Sequence, residues 1–206
     1  LSYKQTRINV ESHIFIGGHK CGSTSLQKFF ATRFQQLKKQ NFLYPYSDLD
    51  SIILSRSAFK GDAKSSLQRS INKRSANKDF LEPHNGLAFR MLNQGSKVMF
   101  PPWHKNISAD IESIFKLIRS QLEDSRPDKL VIVSEVMSNF AFAADNLIDD
   151  FFWNMGPLKH SVYTILRRPD DYLQSWYGQE LCFPNQSLKP IHKRYLNHYK
   201  KTCHFD

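Results

Sequence analysis

The chain has no apolar run approaching the ~18 residues needed to cross a bilayer, so no transmembrane helix is expected in it. It also lacks a charged start followed by an apolar stretch, so no signal peptide is visible. Its first residue is Leu1 rather than Met, which leaves open an upstream anchor that has been removed. Cysteine is scarce. The three present, Cys21, Cys182 and Cys203, are odd in number and widely spaced. That argues against a disulfide framework or a four-cysteine zinc site and fits a reducing compartment. No internal repeat is visible. Acidic residues are outnumbered, 19 against 29 lysines and arginines, for a formal charge of +10. Such a balance suits a polyanionic ligand (nucleotide, nucleic acid, acidic glycan or membrane surface) or is simply a well-solvated basic face. Charge does not choose among these. Apolar material is ample: 206 residues, 40% hydrophobic and 13% aromatic, suffice for one domain with a real core and do not suggest disorder. Two N-glycosylation triplets, at Asn106 and Asn185, would matter only in a secretory protein.

Periodicity divides the chain into alternating elements. His13-Ile-Phe-Ile is predicted as a buried strand ended by Gly17-Gly18. A helix is predicted from about Thr24 to Lys39, with Leu26, Phe29, Phe30, Phe34 and Leu37 on one face. Residues 47–80 are basic and polar and read as a connection with one helix around 63–72. A helix over about 109–123 is capped by Ser108, with Asp110 and Glu112 in its first turn. After the turn at Arg126-Pro127-Asp128, Leu130 to Val133 forms a continuous apolar strand, as expected where both sheet faces are covered. Segment 139–153 has helical character, Ser161 to Leu166 is a strand, and Asp170 to Leu181 is a helix. Strands alternating with helices predict a parallel sheet with helices on both faces.

The feature that carries chemistry is Ile16-Gly17-Gly18-His19-Lys20-Cys21-Gly22-Ser23-Thr24-Ser25-Leu26-Gln27, between a strand and a helix. Glycines let backbone amides approach an anion, and the following helix aims its free amides and positive dipole end at it. Lys20 adds a full charge, and Ser23, Thr24 and Ser25 add hydroxyl donors. This is not the usual nucleoside-triphosphate loop, in which lysine directly follows the second glycine. Here Ser23 holds that place and the lysine sits inside the loop. The Leu130–Val133 strand ends in Ser134-Glu135, not in the strand-end aspartate a magnesium-dependent kinase would want.

His19-Lys-Cys-Gly-Ser-Thr24 resembles the loop of sulfotransferases that use 3′-phosphoadenosine 5′-phosphosulfate. It is similar above all to a bacterial branch reading His-Lys-Thr-Gly-Thr-Thr-Ser-Leu-Gln, from which it departs at Cys21 and Ser23. A second stretch resembles the family's other motif: Arg167 follows a strand, and Ser175 stands eight residues later. Tyr44-Pro45, His84-Asn-Gly-Leu-Ala88 and Ser134-Glu135 also resemble that branch. The resemblance implies a three-layer P-loop-type α/β fold with a central parallel sheet. It further implies a single sulfotransferase-like domain over residues 1–206, truncated at its C-terminus.

By that resemblance, His19, Lys20, Cys21, Gly22, Ser23, Thr24 and Ser25 would hold the donor's 5′-phosphosulfate, and Arg167 and Ser175 its 3′-phosphate. Lys20 would stabilise the leaving group, and no metal is required. Glu135, just past a buried strand, is one candidate general base, with a buried salt-bridge partner as its plainer reading. His84 is another, with a loop histidine bonded to backbone as the plainer reading. His104, beside Trp103, could line an acceptor cleft, and the basic tail 189–201 could form part of a lid. The expected acceptor is a hydroxyl, with a carbohydrate favoured. The bacterial resemblance points to a cytoplasmic enzyme, the alternative being a Golgi luminal one. No nucleic-acid motif is recognised among the basic residues. A nucleotide-dependent kinase and a non-enzymatic polyanion binder are the competing functions, and acceptor and oligomeric state stay open.

Overall fold

The structure, a computed structural model, describes residues 10–18, 20–52, 78–96 and 110–182. The chain order begins with β1 (Glu11–Gly17), α1 (Ser23–Thr32), α2 (Phe34–Lys39) and β2 (Phe42–Leu43). After residue 77 come α3 (Lys78–Leu81) and α4 (Pro83–Ser96), then α5 (Ile111–Ser125) and β3 (Lys129–Val133). A 3-10 turn over Val136–Asn139 leads into α6 (Phe140–Ala143), α7 (Leu147–Met155), β4 (Lys159–Ile165) and α8 (Pro169–Cys182).

The four strands form one all-parallel sheet in the order β2-β3-β1-β4. β1 is central, with Ile14 opposite Ile132 on one side and Val162 on the other. Successive residues of β3 serve opposite faces, as the pleat requires. Leu130 and Ile132 enter a core with Ile14, Leu87, Ile114, Phe115, Ile118 and Phe151, so α4, α5 and α7 cover that face. Val131 and Val133 enter a second core with Ala31, Leu37, Tyr44, Tyr46 and Phe80, beneath α1 and α2. Two covered faces explain why β3 is apolar without alternation.

Several local expectations are refined. The helix expected over 24–39 is two helices with a break at Arg33. Thr32 Oγ1 donates to the Lys28 carbonyl at 2.7 Å and reaches that of Phe29, a back-bond that bends helices. The cap of α5 is Asp110, whose Oδ1 accepts from the Ser113 amide at 2.7 Å. That bond holds the Asp110 carboxyl below its ordinary range. The helical segment expected over 139–153 is interrupted at Ala144, whose backbone is extended. α4 was not anticipated, although Pro83 suits a first helical turn and Leu87, Ala88, Met91 and Leu92 recur on one face. The helix expected near 63–72, Ser108, His104 and the tail 189–201 lie outside the described residues. Among the described residues no helix is long and apolar enough to cross a membrane.

Candidate functional site

β1 ends at Gly17, and the chain turns sharply before entering α1. Among the described residues of the turn, two have left-handed backbones, Lys20 with φ 69° and Gly22 with φ 87°. Gly22 is suited to that conformation, whereas Lys20 holds it at a steric cost. Gly22 is the residue before α1, and its carbonyl accepts from the amides of Ser25 and Leu26 at 3.1 and 3.2 Å. The preceding amides of the first turn therefore point outward, at the positive end of the helix dipole.

A cleft of about 300 Å³ opens at this turn, lined by Lys20, Gly22, Ser23, Thr24, Glu135, Arg167 and Ser175. Its walls come from four places in the fold: the loop after β1, the start of α1, the end of β3, and the β4–α8 connection with α8. All but the helix residues stand at the carboxyl ends of parallel strands, where open α/β sheets bind ligands. Arg167 is tied to the loop, since its Nη1 donates to the Lys20 carbonyl at 2.9 Å. Ser23 Oγ donates to Glu135 Oε2, so the end of β3 and the start of α1 touch through their side chains.

The expected site residues thus divide. Lys20, Gly22, Ser23, Thr24, Glu135, Arg167 and Ser175 meet at the cleft. Cys21 and Ser25 do not line it. The Cys21 sulfur lies toward Gly18, and its amide donates to the Gly18 carbonyl at 3.3 Å. Burial pushes its thiol pKa up, with the Arg167 charge pulling the other way. Such a thiol is a poor nucleophile at neutral pH. His19 lies outside the described residues. Among the described residues no group of three His, Cys, Asp or Glu side chains could hold a metal ion.

His84 sits beneath the cleft, not in it. It is 0% exposed. Its Nδ1 accepts from the Val133 amide at 3.1 Å, and its Nε2 lies 3.0 Å from the Pro45 carbonyl. The acceptor role of Nδ1 assigns the proton to Nε2, a neutral ring with both nitrogens committed. Burial pushes its pKa down to about 4, against the pull of the Pro45 carbonyl. An imidazole so held is a strut between β3 and the Tyr44–Tyr46 segment. Its ring also meets that of Tyr44 edge-on at 4.6 Å. The same layer contains polar residues whose part the sequence did not disclose, Gln27 and Asn85, buried between α1, α4 and β3.

No protein-family model, no curated protein and no solved structure matches the chain.

Proposed function

We propose that this chain is a sulfotransferase with a P-loop-type fold, taking its sulfuryl group from 3′-phosphoadenosine 5′-phosphosulfate and passing it to a hydroxyl, with a carbohydrate as the favoured acceptor. The observation that carries the reading is the convergence of two distant motifs. The loop residues Lys20, Gly22, Ser23 and Thr24 and the pair Arg167 and Ser175 line one cleft, although Thr24 and Arg167 are 143 positions apart in the chain. A nucleotide bearing phosphates at both ends of its ribose needs two such anion sites. The donor supplies an activated sulfur: its bond to the 5′-phosphate breaks as the acceptor oxygen bonds to it.

The chain's residues have the remaining work. Ser23, Thr24 and the first-turn amides bind the 5′ end, and Arg167 with Ser175 binds the 3′-phosphate through charge-assisted bonds. Lys20 neutralises charge on the departing phosphate oxygen. Glu135 takes the acceptor's proton, being the one carboxylate that lines the cleft among the described residues. Its contact with Ser23 holds it beside the donor's binding groups.

The test is calorimetric titration with 3′-phosphoadenosine 5′-phosphate, beside adenosine 5′-phosphate and ATP with magnesium. Selective binding of the first, followed by transfer of labelled sulfate to a panel of sugars, is the expected result. Preference for ATP with magnesium would replace this reading with the kinase.

A further inference from the structure

Three stretches far apart in sequence meet beneath the cleft: Tyr44-Pro45-Tyr46, the first turn of α4 with His84-Asn85, and Val133-Ser134-Glu135. Asn85 is their hub. It is 2% exposed, and both ends of its amide are engaged. Oδ1 accepts from Ser134 Oγ at 2.7 Å and from Gln27 Nε2 at 3.1 Å, while Nδ2 donates to Glu82 Oε2 at 3.1 Å. Gln27, 0% exposed, gives its other amide hydrogen to the Val133 carbonyl at 3.1 Å. Reversing either amide would set like groups against each other, so this arrangement has one orientation.

The geometry has a consequence for the cleft. Gln27 lies one helical turn after Ser23, on the same face of α1. Ser23 touches Glu135, and Gln27 holds the Val133 carbonyl and Asn85. The end of β3 is therefore fastened to α1 at two levels, and Asn85 locks the lower one through Ser134. None of Gln27, Asn85 and Ser134 lines the cleft. Their buried bonds nonetheless fix the backbone that carries Glu135, whose own carbonyl accepts from Ser138 Oγ at 2.7 Å.

We propose that Asn85 is a positioning residue which, through Ser134 and Gln27, holds the Glu135 carboxylate against Ser23 at the height where it meets the acceptor's hydroxyl. The inference rests on the reading of Glu135 as proton acceptor. A residue of this kind acts on the chemical step through another group. It should lower kcat without weakening the donor site, and its effect should vanish once Glu135 no longer takes the proton.

The experiment is a double-mutant cycle on sulfuryl transfer. Asn85→Ala should lower kcat on the order of ten- to a hundredfold while the affinity for 3′-phosphoadenosine 5′-phosphate stays within about threefold. In a Glu135→Gln background the same change should alter kcat by less than about twofold. Ser134→Ala removes one hydroxyl, spares the fold, and should show the same pattern at smaller size. Multiplicative losses, or kcat and nucleotide affinity falling together, would overturn the proposal and leave Asn85 a general stabiliser. If the unaltered protein neither binds the nucleotide nor transfers sulfate, the reading of the site falls. Positioning is then decided by thermal unfolding of the Ser23→Ala, Glu135→Gln and double variants. A Ser23–Glu135 coupling that disappears in a Ser134→Ala background upholds it, and a coupling that persists there refutes it.

Discussion

The two walls of the cleft are built on different ground. The wall carrying Ser23 and Glu135 rises from the middle of the sheet, where Leu130 and Ile132 of β3 are 0% exposed. Buried bonds through Gln27, Asn85, Ser134 and His84 set its geometry. The wall carrying Arg167 and Ser175 follows β4, at the edge of the described sheet, where Val162 is 49% and Ile165 38% exposed. There a bond from an exposed guanidinium to the Lys20 carbonyl links the wall to the loop. The difference separates two ways of building a cleft wall. A central wall is organised by the same packing that folds the protein, so its site exists before any ligand arrives. At an edge, a charged side chain stays solvated, contributes through its own charge, and can be removed without disturbing the core.

The sharpest break of this comparison is in stability. Ile132→Ala should cost about 2–5 kcal/mol in urea unfolding, since it empties a fully packed position between two covered faces. Val162→Ala, on the edge, should stay within about 0.5 kcal/mol. Equal losses would mean that β4 is as much core as β3.

Next in size is the pH response of the central wall. His84 has a folded pKa of about 4 against 6.5 when free. As pH falls below 6.5 the unfolded chain binds a proton that the folded one refuses, so stability falls. The loss should reach on the order of 3 kcal/mol near pH 4 and level off below it. Comparing unfolding of the native protein and His84→Gln across pH 4–7 isolates this share. Parallel curves would show that the ring is not held neutral.

Smaller again is the edge wall. Arg167→Ala should weaken 3′-phosphoadenosine 5′-phosphate roughly ten- to a hundredfold, leave adenosine 5′-phosphate almost untouched, and barely move the melting temperature. Equal weakening of both nucleotides would place Arg167 elsewhere on the ligand. The least effect is expected at the loop itself. A Cβ on Gly22 would meet no atom within 4 Å, so Gly22→Ala carries only the cost of its φ of 87°, about 1–2 kcal/mol. Gly22→Asn should cost less, because asparagine tolerates that conformation.

The same contrast governs what could be read from the residues alone. Where the loop and the Arg167–Ser175 stretch fall in the fold was legible, because glycines after an apolar run end a strand and Pro169 opens a helix. The apolar run of β3 and the stripe of α5 were legible for the same reason, their pattern being their packing. The layer beneath the cleft was not. Gln27, Asn85 and Ser134 are polar and would ordinarily face water, and only the tertiary fold shows that they are sealed together. His84 illustrates the point in reverse: a histidine near a site reads as a base until both of its nitrogens are found bonded to backbone. The break at Arg33 was hidden because the apolar spacing runs through it, while the cause is a hydroxyl at Thr32.

The placing of β1 at the centre of the sheet also bears on how the chain acquires its shape. β1 precedes the other described strands, yet its partners arrive late: Glu11 pairs with Lys129 and then with Lys159. Emerging from a ribosome, the strand and the glycine turn behind it must wait unpaired until more than a hundred further residues have been made. Sheets assembled from such distant partners close slowly, after a large loss of loop entropy. The glycine turn is thus made well before the strands that flank β1 and is among the last segments to reach its final form. During that interval its apolar strand is open to wrong pairing with another nascent chain.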